Sequence, residues 1–203
     1  DEMMTIGFLE EVEEILSATN DTKRMLLFSA TMPKSVLRIV NNYMNEYVTV
    51  KAKKEALTEN LTTQTYIEVR ESDKLDVLYR LIDVEDDFYG LIFCRTKRDV
   101  DDVAERLISR GYDAESLHGD LSQFQRERVL NKLRKQLCRI LVVTDVAARG
   151  LDIENLSHVI NYGIPQNEEA YIHRVGRTGR AGKTGKAITL VNSNEYSKLF
   201  RFK

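Results

Sequence analysis

From residue 63 onward the chain alternates short apolar runs with stretches of helical period, and that alternation admits little besides a layered α/β domain with a mostly parallel sheet. The runs are "TQTYIEVR" (63–70), "YGLIFCRT" (89–96), "YDAESLH" (112–118), "CRILVVTD" (138–145), "HVINYGI" (158–164) and "KAITLV" (186–191), about six strands. Between the first two, Leu75, Leu78, Leu81 and Ile82 follow helical spacing behind a candidate cap at Ser72. Val100, Val103, Ala104, Leu107 and Ile108 share the face of a second helix that ends at Gly111, and Ser122 with Gln125 has capping-box spacing for a third. Helices on both faces of this parallel sheet predict a RecA-like or doubly wound fold.

Ligands of such sheets bind outside the carboxyl ends of the strands. Three polar segments, the last two glycine-bearing, fall there: "RTK" (95–97), "HGD" (118–120) and "TDVAARGLD" (144–152). Residues 1–50 differ, offering one helix (about 8–17), one buried strand "RMLLFS" (24–29), a second helix (about 33–44) and "YVTVKA". That is too little sheet to bury a core. The expected organisation is the tail of a preceding domain over residues 1–50, a linker over 51–61 and a domain over 62–203. Apolar faces left without a domain predict disorder, self-association through residues 1–50, or docking on a complementary fragment.

Composition narrows the class. With 203 residues, 42% hydrophobic and 31% charged, the chain is ordinary for a globular protein, and no apolar run approaches a bilayer span. Asp1 and Glu2 do not resemble a signal peptide, so a soluble, cytoplasmic protein without a membrane partner is expected. Cys94 and Cys138 both sit in strand-like runs and read as buried free thiols, while the scattered His118, His158 and His173 form no metal constellation. The net charge of -2 averages unlike parts: residues 1–50 carry four basic against eight acidic side chains, whereas from Tyr171 onward there are eight basic and one acidic. Local charge sets the field that a phosphate feels.

The most basic segment, "HRVGRTGRAGKTG" (173–185), spaces Arg174, Arg177 and Arg180 three residues apart among glycines. Guanidinium groups suit bidentate recognition of phosphate, and glycines let a backbone approach closely. The "GKT" at 182–184 is no phosphate-binding P-loop, because the first glycine of that motif falls on Arg177 and a strand follows instead of a helix.

Six segments, "SAT" (29–31), "LIFCRTK" (91–97), "HGD" (118–120), "QFQR" (123–126), "TDVAARGLD" (144–152) and "HRVGRTGR" (173–180), stand in an order and spacing that resembles the DEAD-box RNA helicases. The opening "DEMMTIGF" resembles the sequence around the last Asp of the DEAD motif, so the chain is similar to the end of one RecA-like domain followed by a second. The resemblance implies an ATP-dependent RNA helicase whose ATP and Mg2+ are bound mainly by an N-terminal RecA-like domain. It implies that Arg177 and Arg180 reach the γ-phosphate as arginine fingers. Asp152 would meet the ribose hydroxyls, with Gly150 in the same nucleotide-binding segment. His173 and Arg174 would link to the DEAD and SAT segments, and Ser29 and Thr31 would couple hydrolysis to strand separation. Arg95, Thr96, Lys97, Gly119, Gln123, Arg126 and Thr144 would hold the backbone of single-stranded RNA. Two other readings stay open: a non-catalytic module that docks RNA or protein, and a helicase of the same superfamily directed to DNA.

Overall fold

A computed structural model describes residues 8–20, 22–29, 32, 34–44, 46–51, 61–149, 151, 153, 156–179 and 182–199. The chain divides into two compact units, Asp1–Lys53 and Lys54–Lys203.

In the second unit six strands form one sheet: β1 (Thr62–Glu68), β2 (Gly90–Phe93), β3 (Ala114–Leu117), β4 (Ile140–Val143), β5 (His158–Asn161) and β6 (Gly185–Val191). Their order across the sheet is β1-β6-β5-β2-β4-β3, and every pairing is parallel. Parallel strands need long crossovers. These carry α3 (Lys74–Asp83), α4 (Lys97–Ser109), α5 (Gln123–Arg134), the short α6 (Asp145–Ala148) and α7 (Glu168–Val175), and a short helix α8 (Tyr196–Leu199) follows β6. The first unit contributes α1 (Leu9–Ser17) and α2 (Lys34–Tyr43).

Burial follows the two-residue period of the strands. Ile92, Val142 and Ile160 face one side and pack with Leu78, Ile82, Val100, Val103 and Leu107 of α3 and α4. Leu91, Phe93, Leu141, Val143 and Val159 face the other and pack with Val129 and Leu133 of α5 and Ala147 and Ala148 of α6. With both faces covered, the central strands are apolar at nearly every position. The RecA-like layer arrangement expected from the sequence is the one observed. Cys94 and Cys138 are buried free thiols, and burial pushes Cys138 up to about 11 and Cys94 higher still.

Local signals account for most boundaries. Ser122 and Gln125 form the expected capping box, each side chain bonding the other residue's main-chain N–H at 3.3 and 2.9 Å. Gly111 ends the α4 region with φ +91, a left-handed conformation that a Cβ would strain. Three expectations need correction. Ser72 does not cap α3: it lies in a 3-10 turn over Glu71–Asp73 and its hydroxyl donates to the Asp73 carboxylate at 2.8 Å. The 63–70 run alternates at period two in the sequence, yet β1 does not bury alternate residues, because it is the sheet's edge and residues 63–66 are exposed. Residues 24–29 do not form a strand, nor do 47–51, since no ladder partner lies beside them among the described residues.

Within the first unit, α1 and α2 are tied by Arg38 on Glu13 at 2.9 Å and by the Tyr43 hydroxyl, which donates to the Glu13 carbonyl at 3.3 Å. Val36, Ile39 and Val40 of α2 are buried. No helix among the described residues is long and apolar enough to cross a membrane.

Candidate functional site

Because every strand points the same way, the segments after β2, β3, β4 and β5 all leave the sheet at one edge. Each runs into a helix whose start is fixed by a side chain. Thr96 and Asp99 exchange main-chain and side-chain bonds at 3.1 Å to open α4, Thr144 accepts from the Ala147 N–H at 3.4 Å to open α6, and Asn167 accepts from the Ala170 N–H at 2.8 Å to open α7. Thr96-x-x-Asp99 has the capping-box pattern in the sequence, whereas Thr144 and Asn167 have alanine three positions on and no such mark.

Side chains then stitch the segments together. Lys97, half-exposed, pairs with Asp120, joining "RTK" to "HGD", and that bond holds the Asp120 carboxyl below its ordinary value. Gly119 sits beside the Lys97 stem, with room for a Cβ at 3.6 Å from Cε. His118, almost fully buried, is bonded on both nitrogens: Nε2 to the Asp101 carboxylate at 2.9 Å, while Nδ1 accepts from the Asp120 N–H at 3.4 Å. Those partners assign the ring proton to Nε2. Arg126 donates from Nη2 to the Ala147 carbonyl at 2.6 Å, locking α5 to α6. Arg95 is exposed, and its Cγ lies 3.1 Å from where a Cβ on Gly163 would stand. Gln123 bonds Glu127 at 3.0 Å on the exposed face of α5.

The three arginines of "HRVGRTGR" have unlike surroundings. Arg174 is only 2% exposed and makes a bidentate pair with Asp145 at 2.6 and 2.7 Å. Its Nη1 also donates to Asn161 Oδ1 at 2.9 Å and the Gly163 carbonyl at 3.1 Å, and its guanidinium lies 4.9 Å from the centre of the Phe93 ring. Asn161 in turn donates to Thr189 Oγ1 at 3.0 Å. This corrects the expected link to another domain: Arg174 is a buried strut joining β5, β6, α6 and α7 of its own unit. No local pattern marks Asp145 and Asn161 as its partners, since 29 and 13 residues separate them from it.

Arg177, partly buried, donates from Nη1 to the Leu151 carbonyl at 2.9 Å, so the arginine motif adjoins "TDVAARGLD". Thr178 is buried and donates to the Leu156 carbonyl at 2.5 Å. The glycines belong to the same packing: Gly179 has φ +67, and a Cβ there would fall 2.1 Å from Thr62 Oγ1. The bare backbone therefore admits β1 of the same unit. Gly182 begins a turn into β6, and no helix follows the "GKT".

His173 is half-buried on α7, and Ser29 is exposed in the first unit. Gly150, Asp152, Arg180 and Thr31 lie outside the described residues. Among the described residues no three His, Cys, Asp or Glu converge to hold a metal ion.

A parallel sheet whose loops gather at one edge, closed by an arginine-rich segment, is the form of a helicase C-terminal domain, and residues 73–182 match the family model described as Helicase conserved C-terminal domain. A probable ATP-dependent RNA helicase of Methanocaldococcus jannaschii is 51% identical over 199 residues, which cover 98% of this chain and 53% of that protein. The solved C-terminal domain of the DEAD-box protein Dbp5 is 36% identical, with a TM-score of 0.65, over 70% of this chain and 83% of its own. Dbp5 of S. cerevisiae bound to RNA and ADP BeF3 has a TM-score of 0.85 at 29% identity, over 97% of this chain and 52% of that one. The chain belongs to the DEAD-box family of ATP-dependent RNA helicases, and it spans about half the length of the M. jannaschii relative.

Proposed function

We propose that the protein is the C-terminal half of an ATP-dependent RNA helicase and performs the family's local, ATP-driven unwinding of RNA duplexes together with an N-terminal RecA-like domain. On this reading residues 1–50 are the tail of that first domain, 51–61 the linker and 62–203 the second domain, acting in the cytoplasm. The observation that carries it is the contact of Arg177 with the Leu151 carbonyl, which brings together the two motifs that the resemblance assigns to ATP.

Arg177 and Arg180 then stabilise the charge that develops on the transferring γ-phosphoryl group, a contribution of about 10³ to 10⁵ in rate for an arginine finger. Asp152, an acceptor-only side chain, receives bonds from the ribose hydroxyls, and Gly150 lets that segment approach the nucleotide. ATP itself, with the Mg2+ that neutralises its phosphates, is held mainly by the partner domain. His173, Ser29 and Thr31 transmit the state of the nucleotide between the two halves. Along the edge, Arg95, Lys97 and Arg126, the Gly119 backbone, the Gln123 amide and the Thr96 and Thr144 hydroxyls hold successive phosphates and riboses. Contacts of those kinds carry no base identity, so the grip is independent of sequence. Thr144 illustrates the chemistry: its oxygen accepts from the Ala147 N–H and its proton remains for a phosphate.

The deciding experiment adds an N-terminal RecA-like half and measures RNA-stimulated ATP hydrolysis with wild-type chain and with Arg180→Ala. A loss of about 10³-fold or more is expected. Undiminished turnover in the variant would remove the finger from the reading, and family-like hydrolysis by the chain alone would remove the division of labour.

A further inference from the structure

Lys97 and Asp120 belong to separate segments of the sheet edge, one after β2 and one after β3, and their side chains meet as an ion pair between Nζ and Oδ1. The surrounding turn is held in place. The Lys97 stem runs past Gly119, and His118 accepts from the Asp120 N–H at 3.4 Å through Nδ1 while its Nε2 is anchored on Asp101 at 2.9 Å. The pair itself is open to water, with 54% of the lysine side chain and 64% of the aspartate side chain exposed, and exposed pairs contribute little to stability. It differs in this from the buried Arg174–Asp145 pair, which is a strut of the fold.

Its place on the edge gives the pair a consequence that stability does not. Of the three cations assigned to RNA, Arg95 has no carboxylate partner among the described residues, and Arg126 donates to a carbonyl, that of Ala147, so both keep their full charge for a phosphate. Lys97 does not, because Asp120 already neutralises it. An ammonium is a compact point charge, and two anions drawn to it stand close enough to repel one another.

We propose that Asp120 is an internal competitor for the RNA phosphate at Lys97, displaced from the ammonium when the strand binds and returning to it when the strand leaves. The inference rests on the RNA reading above and adds a residue that acts against the grip, where every other residue assigned there acts for it. Binding exchanges one ion pair for another at this position and gains less than an unpaired lysine would give. Asp120 thereby loosens the hold on the strand without touching it.

The test measures binding of a fluorescein-labelled oligouridylate to this chain at low salt. Asp120→Asn keeps the side chain's size and the main-chain bond to His118 and removes the competing charge; it should tighten binding about 3-fold or more. Asp102→Asn is the charge-matched control, since Asp102 is 62% exposed and faces Arg98 at 3.9 Å rather than a residue assigned to RNA, and it should bind as wild type does. Binding no tighter in Asp120→Asn, or equal tightening in both variants, would overturn the competition and leave the RNA reading standing. The exchange itself is read from the NMR signal of the Lys97 ammonium, which should differ between free wild type and free Asp120→Asn and converge in their RNA complexes. A wild-type complex that keeps the signal of the free chain would mean that the ion pair survives binding, and the proposal fails. If wild-type chain binds no RNA even at low salt, the RNA reading falls and the competition falls with it.

Discussion

Two segments of similar composition, "RMLLFS" (24–29) and "RILVVT" (139–144), have opposite fates in the same chain. In the second, Leu141, Val142 and Val143 are fully buried in β4, with β2 on one side and β3 on the other. In the first, Leu26 is 65% and Phe28 88% exposed, and no strand is formed. Both runs have the apolar side chains that a buried parallel strand requires. Main-chain partners on either side and helices above and below make the difference, and among the described residues they are supplied by 62–191.

Substitutions test that contrast. The largest effect is expected at the strut that ties the second unit together: Arg174→Ala removes one partner of a buried ion pair, and denaturant unfolding should show a loss of about 3–5 kcal/mol. A variant as stable as wild type would mean that Arg174 is not structural. Next, Leu141→Ala should cost about 2–5 kcal/mol through lost burial and the cavity left behind, whereas Leu26→Ala should stay within about 0.5 kcal/mol. Equal losses at the two leucines would erase the distinction between the runs. Thr96→Ala, which opens the capping box of α4, should lower stability by about 1 kcal/mol.

The smallest expected effect concerns pH. His158, at the start of β5, stacks on Phe88 at 4.8 Å, and burial lowers its pKa below the ordinary 6.5, partly offset by the Glu85 carboxylate at 3.6 Å. The unfolded chain therefore binds the proton more readily than the folded one. Stability should be level above that value and decline as pH falls below it, and His158→Phe should reduce the slope in that range. An unchanged slope would place the pH dependence elsewhere.

Much of the second unit was legible in advance, because its strands are buried on both faces and their apolar runs are nearly continuous. The Ser122 box and the Gly111 stop were legible for a related reason, since each is a signal within four residues. The strand at β1 was legible as well, but its exposure and that of the 24–29 segment were not, because whether an apolar residue is covered depends on a distant element. The site divided in the same way. Motif order pointed to one sheet edge, while the link to another domain that the resemblance implied for Arg174 gave way to a buried place inside its own unit.

By itself, then, the sequence determined the order of the six strands and of the three long helices between the first four of them, the Ser122 cap and the Gly111 stop, the edge on which the polar loops gather and the family to which the chain belongs. All of these are properties of local spacing or of motif order. Tertiary structure alone decided that Arg174 is enclosed by Asp145, Asn161 and Gly163 while Arg177 meets Leu151, and that Gly179 is bare to admit Thr62. The reason is physical: a guanidinium carries the same charge and reach wherever it stands in a motif, and what it does depends on which carboxylates and carbonyls the folded sheet brings within three ångströms of it.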